Sequence, residues 1–259
     1  MPEPNDSALP QGVELTRRVD GKIGLSQALV TLLIDARNGY DWPEGTGATE
    51  SQQTVIDLEA CVAALMNQLD PGNAHAIMRR VSDWAQNNKR AHGAIVNATA
   101  DSKVKMMNAL NLLNDPAQIR EGLDTLSEIP GINLVIASKV YRFCCPQTAA
   151  AVDRHASYFF NSLDIVSLDQ GRAKATHFKR EWPRGSHTYS RLATFNPGYY
   201  KRNRQEFTEV YLPLLVCIAA ELNTLHAQFT CGASGELKNW RPTDVEMAAY
   251  YWWASNGAR

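Results

Sequence analysis

The sequence predicts an all-α fold, and three observations carry that prediction. Apolar residues recur at three- and four-residue steps through most of the chain, helix-stopping and helix-capping residues fall between those stretches, and no confident run of alternating residues marks a strand. The first helix is expected over about 24–38, with Leu25, Leu29, Leu32 and Leu33 as its buried face. Val55, Leu58, Val62, Leu65 and Leu69 form the stripe of a second helix, which Asp70-Pro71-Gly72-Asn73 stops. Ile77, Val81 and Trp84 mark a third, and Asn87-Asn88-Lys89-Arg90 suits its C-terminal end, where amides and cations are favoured. Met106, Leu110 and Leu113 mark a fourth. Phe207, Val210, Tyr211, Leu214, Leu215, Ile218 and Leu222 form a long helix that Pro213 kinks or restarts. Thr243-Asp244-Val245-Glu246 reads as a capping box opening the last helix, which carries Met247, Tyr250 and Tyr251, with Trp252 and Trp253 as packing residues. There is no internal repeat. The chain is expected to form one helical unit, with a polar segment at 1–20 and two helical subdomains, about 20–115 and 116–259, on either side of a cleft.

The chain has 259 residues with a net charge of −1, and 44% of its residues are hydrophobic, which excludes disordered, collagen-like and disulfide-scaffold classes. The charge is unevenly spread. Residues 167–204 hold nine basic and two acidic side chains, a net of +7, while residues 1–100 sum to −4, 101–166 to −1 and 205–259 to −3. In that segment Arg172, Lys174, Lys179, Arg180, Arg184, Arg191, Lys201, Arg202 and Arg204 interleave with Phe178, Trp182, Tyr189, Phe195, Tyr199 and Tyr200. Such a basic and aromatic loop insertion suits backbone neutralisation and base stacking, and equally suits a solvated surface anchored by its rings. Cys61, Cys144, Cys145, Cys217 and Cys231 fit no usual cluster spacing and are expected as reduced, mostly core residues. The polar, proline-bearing N-terminus does not read as a secretion signal, and the longest apolar run, about 211–220, falls short of the ~20 residues of a membrane helix. A cytoplasmic, nucleoid-associated (or nuclear) monomer without membrane contact is expected.

Two short segments carry the chemistry. In Leu126-Ser127-Glu128-Ile129-Pro130-Gly131-Ile132-Asn133-Leu134-Val135 a helix ends near Ile129, Pro-Gly turns, and a helix restarts from about Asn133. A hairpin this tight presents backbone N–H groups at a helix N-terminus, which can hold a phosphate oxygen whatever the base sequence. The same residues also suit a plain helical connection. Further on, Ala149-Ala150-Ala151-Val152-Asp153-Arg154-His155 places an acid at the start of another helix, 18 residues beyond Val135. By itself Asp153 suits an N-cap.

Together the two segments resemble the helix-hairpin-helix DNA glycosylase superfamily, whose L-P-G-[VI]-G hairpin precedes a V-D-[TR]-H-like stretch at about this distance. The resemblance covers roughly 120–163 and extends weakly to the flanking helices. It implies a helix-hairpin-helix glycosylase-like bundle acting on double-stranded DNA, with Asp153 as the catalytic carboxylate. Rupture of an N-glycosidic bond builds positive charge on the sugar, which a carboxylate stabilises while it orients or deprotonates water. The target base must first be flipped out of the duplex. The resemblance places Pro130, Gly131, Ile132, Asn133, Val135 and Lys139 at the DNA backbone. Arg180 and Arg184 of the basic segment are expected to join them, and His155 to touch phosphate or order Asp153. It requires no cofactor, though family hairpins bind K+ or Na+ through carbonyls that match Ser127, Ile129 and Ile132. The Asn87–Arg90 run is an alternative source of a polar wedge for the gap left by a flipped base.

Two departures matter. Asn133 replaces the hairpin's second glycine, and asparagine tolerates left-handed backbone better than most residues. Val135 stands where bifunctional members carry a Schiff-base lysine, so a monofunctional enzyme without lyase activity is expected, with Lys139 one turn further on read as facing phosphate or solvent. The four-cysteine cluster loop of some members is absent from the sequence. Alkylated, oxidised and deaminated bases remain open as substrates, as do bulky bases such as the sugar-decorated cytosines of phage DNA. The role is accordingly repair or antiphage defence. The rival expectation is a non-catalytic helix-hairpin-helix DNA-binding protein.

Overall fold

The computed structural model describes residues 9–40, 52–85, 89–167, 171–181, 191–193, 197–232 and 234–256. Helix accounts for 62% of it, with small sheets. It divides into a discontinuous unit, Met1–Asp41 with Val152–Arg259, and a continuous one, Trp42–Ala151.

The discontinuous unit begins with strands β1 (Glu14–Arg17) and β2 (Ile23–Leu25), paired antiparallel, and helix α1 (Gln27–Asn38). Residues 23–25 pair with β1 instead of starting the expected helix. Ser26 caps α1 by accepting the Leu29 N–H at 3.2 Å.

The continuous unit is helical throughout: α2 (Gln52–Met66), α3 (Pro71–Ala85), α4 (Lys89–Val96), α5 (Ala100–Leu113), α6 (Ile119–Ser127) and α7 (Leu134–Cys144). Asp70-Pro71 opens α3: Asp70 Oδ1 accepts the Asn73 N–H at 2.7 Å, and Pro71 takes the first position, where no N–H is needed. The core joins Val62, Ile77, Val81, Ile95, Met106, Leu110, Leu123, Leu126 and Val140, all fully buried. A division near residue 115 was expected, but α5 and α6 pack on each other across it. A Cβ on Gly122 would lie 2.8 Å from Leu113 Cγ, so these two helices need glycine at their contact. The boundaries fall at 41/42 and 151/152 instead.

The chain then returns to the first unit with α8 (Arg154–Ser162), β3 (Asp164–Ser167) and β4 (Gly171–Lys174). β3 pairs parallel with β1, giving the order β2-β1-β3-β4. Residues 14–17, expected within a polar tail, are therefore an interior strand. The strands escaped the sequence reading because two to four residues are too few to display alternation.

The 167–204 segment is not a loop insertion where it is described. It supplies β4, the small ladder β5 (Arg180–Glu181) with β6 (Arg191–Leu192), and most of α9 (Pro197–Glu206). Arg172 bridges Asp164 and Glu14 at 2.9 Å each, and Lys174 reaches Asp164 at 2.9 Å. Asn203 stitches the segment together: its amide donates to the carbonyls of Lys179 and Ala193, and its oxygen accepts the Lys179 N–H.

A π-turn, Phe207–Tyr211, joins α9 to α10 (Leu212–Thr224), just before Pro213. Proline cannot donate to the preceding turn, and the wider turn absorbs that loss. The joined helix Gly198–Thr224, 27 residues with a window of mean hydropathy 1.2, is long and apolar enough to cross a membrane by those two criteria alone. Within its unit Leu214, Leu215, Ile218 and Leu222 are buried, and α10 packs on β2 and on the last helix, α11 (Pro242–Asn256). A second ladder pairs β7 (Phe229–Thr230) with β8 (Leu237–Lys238).

The capping box is not formed as expected. α11 starts at Pro242, and Asp244 takes the capping and ion-pairing duties: it accepts Arg241 N–H and Nε, and binds buried Arg37 of α1 at 2.9 Å. The Thr243 hydroxyl is buried without a hydrogen-bond partner among the described residues. None of the five cysteines is in a disulfide. Burial, together with the Cys145 charge, pushes the Cys144 thiol far up, and burial pushes Cys145 up to about 11, so both stay protonated at neutral pH.

Candidate active site

The hairpin lies in the continuous unit, between α6 and α7. Ile129 and Ile132 are buried, and the Ile132 N–H donates to the Ile129 carbonyl at 3.1 Å, closing the turn. Pro130, between them, is exposed. Gly131 has φ +84°, and a Cβ there would come within 2.7 Å of the Ala91 backbone nitrogen. Glycine is thus required twice, for its left-handed backbone and for close approach to α4.

Asn133 does not adopt the left-handed conformation anticipated for it. Its φ of −121° and ψ of −179° are extended, and its side chain caps α7 by accepting the Ile136 N–H at 3.2 Å. The first-turn N–H groups of Leu134 and Val135 have no acceptor within their own helix. The hairpin therefore keeps an anion-binding end, with one donor already taken by asparagine. Of the carbonyls expected to hold an alkali ion, that of Ile129 spends one lone pair in the turn and retains the other. Among the described residues no group of three or more His, Cys, Asp or Glu is placed to hold a metal ion.

Lys139 is neither solvated nor phosphate-facing. It is 6% exposed, with its ammonium 5.3 Å from the centre of the Trp84 ring. Arg142 is buried beside it, over Phe143 and 3.6 Å from Glu59. Lys89 and Arg90 sit in the first turn of α4, not at a C-terminal end, and both are exposed. Cations at a positive helix end are unfavourable, so this placement concentrates positive potential next to the Gly131 turn. Asn87 and Asn88, the other half of the proposed wedge, lie outside the described residues.

Asp153 lies in the discontinuous unit as the N-cap of α8. Oδ1 accepts the Ala156 N–H at 2.9 Å, and Oδ2 takes no hydrogen bond among the described residues. The side chain is half-buried. His155 and Arg180 are assembled around it. His155 Nε2 lies 2.8 Å from Arg154 Nη2; a guanidinium only donates, so Nε2 accepts and the ring carries its proton on Nδ1. Burial holds the imidazole below its ordinary pKa, helped by Arg154 and Arg180 and opposed by Asp153, so it is neutral at pH 7. Arg180 donates to Ser157 Oγ at 3.0 Å and covers the Tyr158 ring, which stacks on Trp253 at 5.4 Å. Arg184 lies outside the described residues.

Three further residues join this cluster that the sequence reading did not place there. Tyr250 meets the His155 ring edge-on at 5.1 Å. Tyr211, from the π-turn, is fully buried, and Glu246 of α11 is 7% exposed. Burial pushes both phenols far up; for Tyr250 the Asp153 charge adds most and Glu246 next, and for Tyr211 the order reverses. The only available signal was a Glu246/Tyr250 pair one turn apart on α11, and the capping-box reading had already spent Glu246. Trp252 and Trp253 pack on Phe159 and Tyr158, as packing residues.

No protein-family model matches the chain, and no curated protein or solved structure matches it at a significant level.

Proposed function

We propose that this protein is a monofunctional DNA glycosylase that hydrolyses the N-glycosidic bond of a flipped, damaged or modified base and leaves an abasic site. The observation that carries the reading is Asp153: a half-buried carboxylate with one oxygen fixed by the cap of α8 and the other without a hydrogen bond among the described residues. That state suits a group that must face a sugar cation and a water molecule. The fixed oxygen sets the orientation, and partial burial strengthens the attraction to charge developing in the transition state. Arg154 and Arg180 supply positive potential for backbone phosphate at the same helix end, while neutral His155, its Nδ1 buried and its Nε2 paired with Arg154, orders the Arg154 guanidinium there. The hairpin supports a second, sequence-independent phosphate contact through the first-turn N–H groups of α7, and K+ or Na+ at its carbonyls would reinforce it. Val135 has no amine, so no Schiff base forms there.

The test is incubation with a panel of duplexes carrying alkylated, oxidised and deaminated bases, together with phage DNA bearing sugar-decorated cytosine. The expected product is an abasic site that breaks only after alkali. Strand breaks without alkali would overturn the monofunctional assignment. Salt-sensitive duplex binding with no abasic product on any substrate would favour the non-catalytic DNA-binding protein.

A further inference from the structure

The discontinuous unit holds a groove of about 570 Å³ between α1, α11 and the turn that precedes β1, a volume in the range of small-ligand sites. Its floor is one row of α1, Ala28, Leu32 and Ala36, and beside it runs a polar row, Gln27, Thr31 and Asp35, each residue one helical turn from the next. Alanine at two of the three floor positions leaves the space open. Tyr251 and Trp252 of α11 form an aromatic wall, and both rings are fixed from behind. Gly39 lets Tyr251 lie against the end of α1, where a Cβ would come within 3.0 Å of the ring. Trp252 meets Phe159 of α8 edge-on, with ring centres 5.8 Å apart. Pro10 and Val13 also line the groove, in a turn closed by the Val13 N–H on the Pro10 carbonyl at 3.1 Å.

The charge in this groove has one sign. None of the described residues that line it is basic, and Asp35 is the carboxylate among them. Asp35 makes no ion pair among the described residues; Arg37, two positions on, is turned to Asp244. Nor does Asp35 serve its own helix, because it stands in the last turn of α1, where a carboxylate opposes the negative end of the dipole. α11 also ends at the groove, with Asn256. The Asn256 amide donates to the Trp252 carbonyl at 3.0 Å, which leaves its oxygen as an acceptor. We propose that this groove is a binding site for a small organic cation, an ammonium group carried on an apolar body. Asp35 supplies the counter-charge, and the negative faces of Tyr251 and Trp252 attract the same cation. The Ala28–Leu32–Ala36 floor takes the apolar body out of water, and the Asn256 oxygen adds a neutral acceptor. The site does not depend on the reading of Asp153.

The test uses the full chain and four probes of similar size: phenethylammonium and benzyltrimethylammonium as cations, phenethyl alcohol as a neutral analogue and 3-phenylpropionate as an anion. Binding is followed through the tryptophan indole N–H signals in NMR titrations. The cations should bind saturably, with Kd on the order of 0.1–1 mM. The alcohol should bind about tenfold more weakly, and the anion more weakly still. Asp35→Asn should weaken the cations about fivefold and leave the alcohol unchanged. Ala28→Leu, at an exposed helical position where leucine is well tolerated, fills the floor and should abolish binding of the cations. Equal binding of cations and alcohol would overturn the proposal, as would an Asp35→Asn variant that binds the cations like the wild type. Cation binding that survives Ala28→Leu would place the site elsewhere, and failure of either cation to saturate the protein at about 10 mM would leave the groove without its ligand; both results overturn the proposal. None of these outcomes bears on the glycosylase reading, which the duplex panel decides separately.

Discussion

The hairpin and the Asp153 cluster are built by opposite routes. The hairpin is a local object: ten consecutive residues close a turn, one glycine supplies the positive φ, one asparagine caps the next helix, and its prospective ligand-binding groups belong to the backbone. The Asp153 cluster is assembled from residues 153–158, 180, 211, 246 and 250, held by four separate elements, and its working groups are side chains. Backbone donors at a helix end are tolerant: a phosphate oxygen can shift among them at little cost. A carboxylate that must meet one carbon atom is not tolerant, and it is surrounded by groups whose charges, tautomers and donors are mutually dependent. Substitutions should therefore separate the two regions, with chemistry lost in one and affinity or stability lost in the other.

The largest effect is expected at Asp153. Asp153→Asn keeps the cap on Ala156 but removes the charge, and base excision should fall by about 10²–10³-fold. Duplex affinity should change little, because the phosphate contacts are assigned to other groups, Arg154 and Arg180 among them, which the substitution leaves in place. Single-turnover excision together with a binding titration checks this. An Asp153→Asn protein that excises at the wild-type rate removes the distinction between the two regions, and the glycosylase reading with it.

Next comes Asp244, which holds the frame of the cluster and not its chemistry. Its carboxylate is buried against Arg37 of α1. Burial acts to raise its pKa, and the guanidinium groups of Arg37 and Arg241 outweigh burial and hold it below the ordinary carboxylate value. Asp244→Asn leaves Arg37 buried without its anion and should cost about 3–5 kcal/mol in denaturant unfolding. The folded state binds this proton less readily than the unfolded chain does. The contribution is therefore fully present above the unfolded carboxylate value of about 4, and is lost as pH falls below it. A wild-type unfolding series from pH 6 to pH 3 should show this fall. The Asn variant should be flatter over the same range, and a parallel slope would mean that other acids set the acid limb.

How much was legible follows from the same contrast. Helix periodicity was readable because α3, α5 and α10 each bury one continuous stripe, and the hairpin was readable because Pro130-Gly131 is local punctuation. Lys139 was misjudged because sequence spacing does not reveal that Trp84, from another helix, stands over its ammonium group. The parallel pairing of β1 with β3 spans 150 residues, and strands of four residues leave no pattern to detect. Glu246 was hidden by a competing local explanation. A Thr-Asp-Val-Glu run satisfies the capping-box rule, and only the fold shows that Asp244 answers to Arg37 while Glu246 turns inward.

Gly131→Ala tests whether the hairpin's geometry matters as a unit. Alanine is strained at φ +84°, and its Cβ would lie 2.7 Å from the Ala91 nitrogen, so the hairpin must move off α4. A loss of about 2 kcal/mol or more in stability is expected, along with weaker duplex binding. Per-site excision on bound substrate should be less affected than in Asp153→Asn. If binding is unchanged while stability falls, the hairpin is only a connection.

The smallest effect is the most discriminating. Asn133 Oδ1 occupies the Ile136 N–H, a donor that a phosphate oxygen could use. Asn133→Ala and Asn133→Gly both vacate it, but glycine is a far better N-cap residue than alanine, so the Gly variant should lose only a few tenths of a kcal/mol while the Ala variant loses about 1 kcal/mol. If the end of α7 binds phosphate, Asn133→Gly should bind duplex a few-fold more tightly than wild type at low salt, with a slightly steeper salt dependence, because one more backbone donor faces the anion. If α7 merely follows a turn, both variants should bind DNA as the wild type does and differ from it in stability alone. Affinity and stability thus move in opposite directions under one reading and independently under the other, so a paired measurement on the two variants separates a clamp from a connector without knowledge of the substrate base.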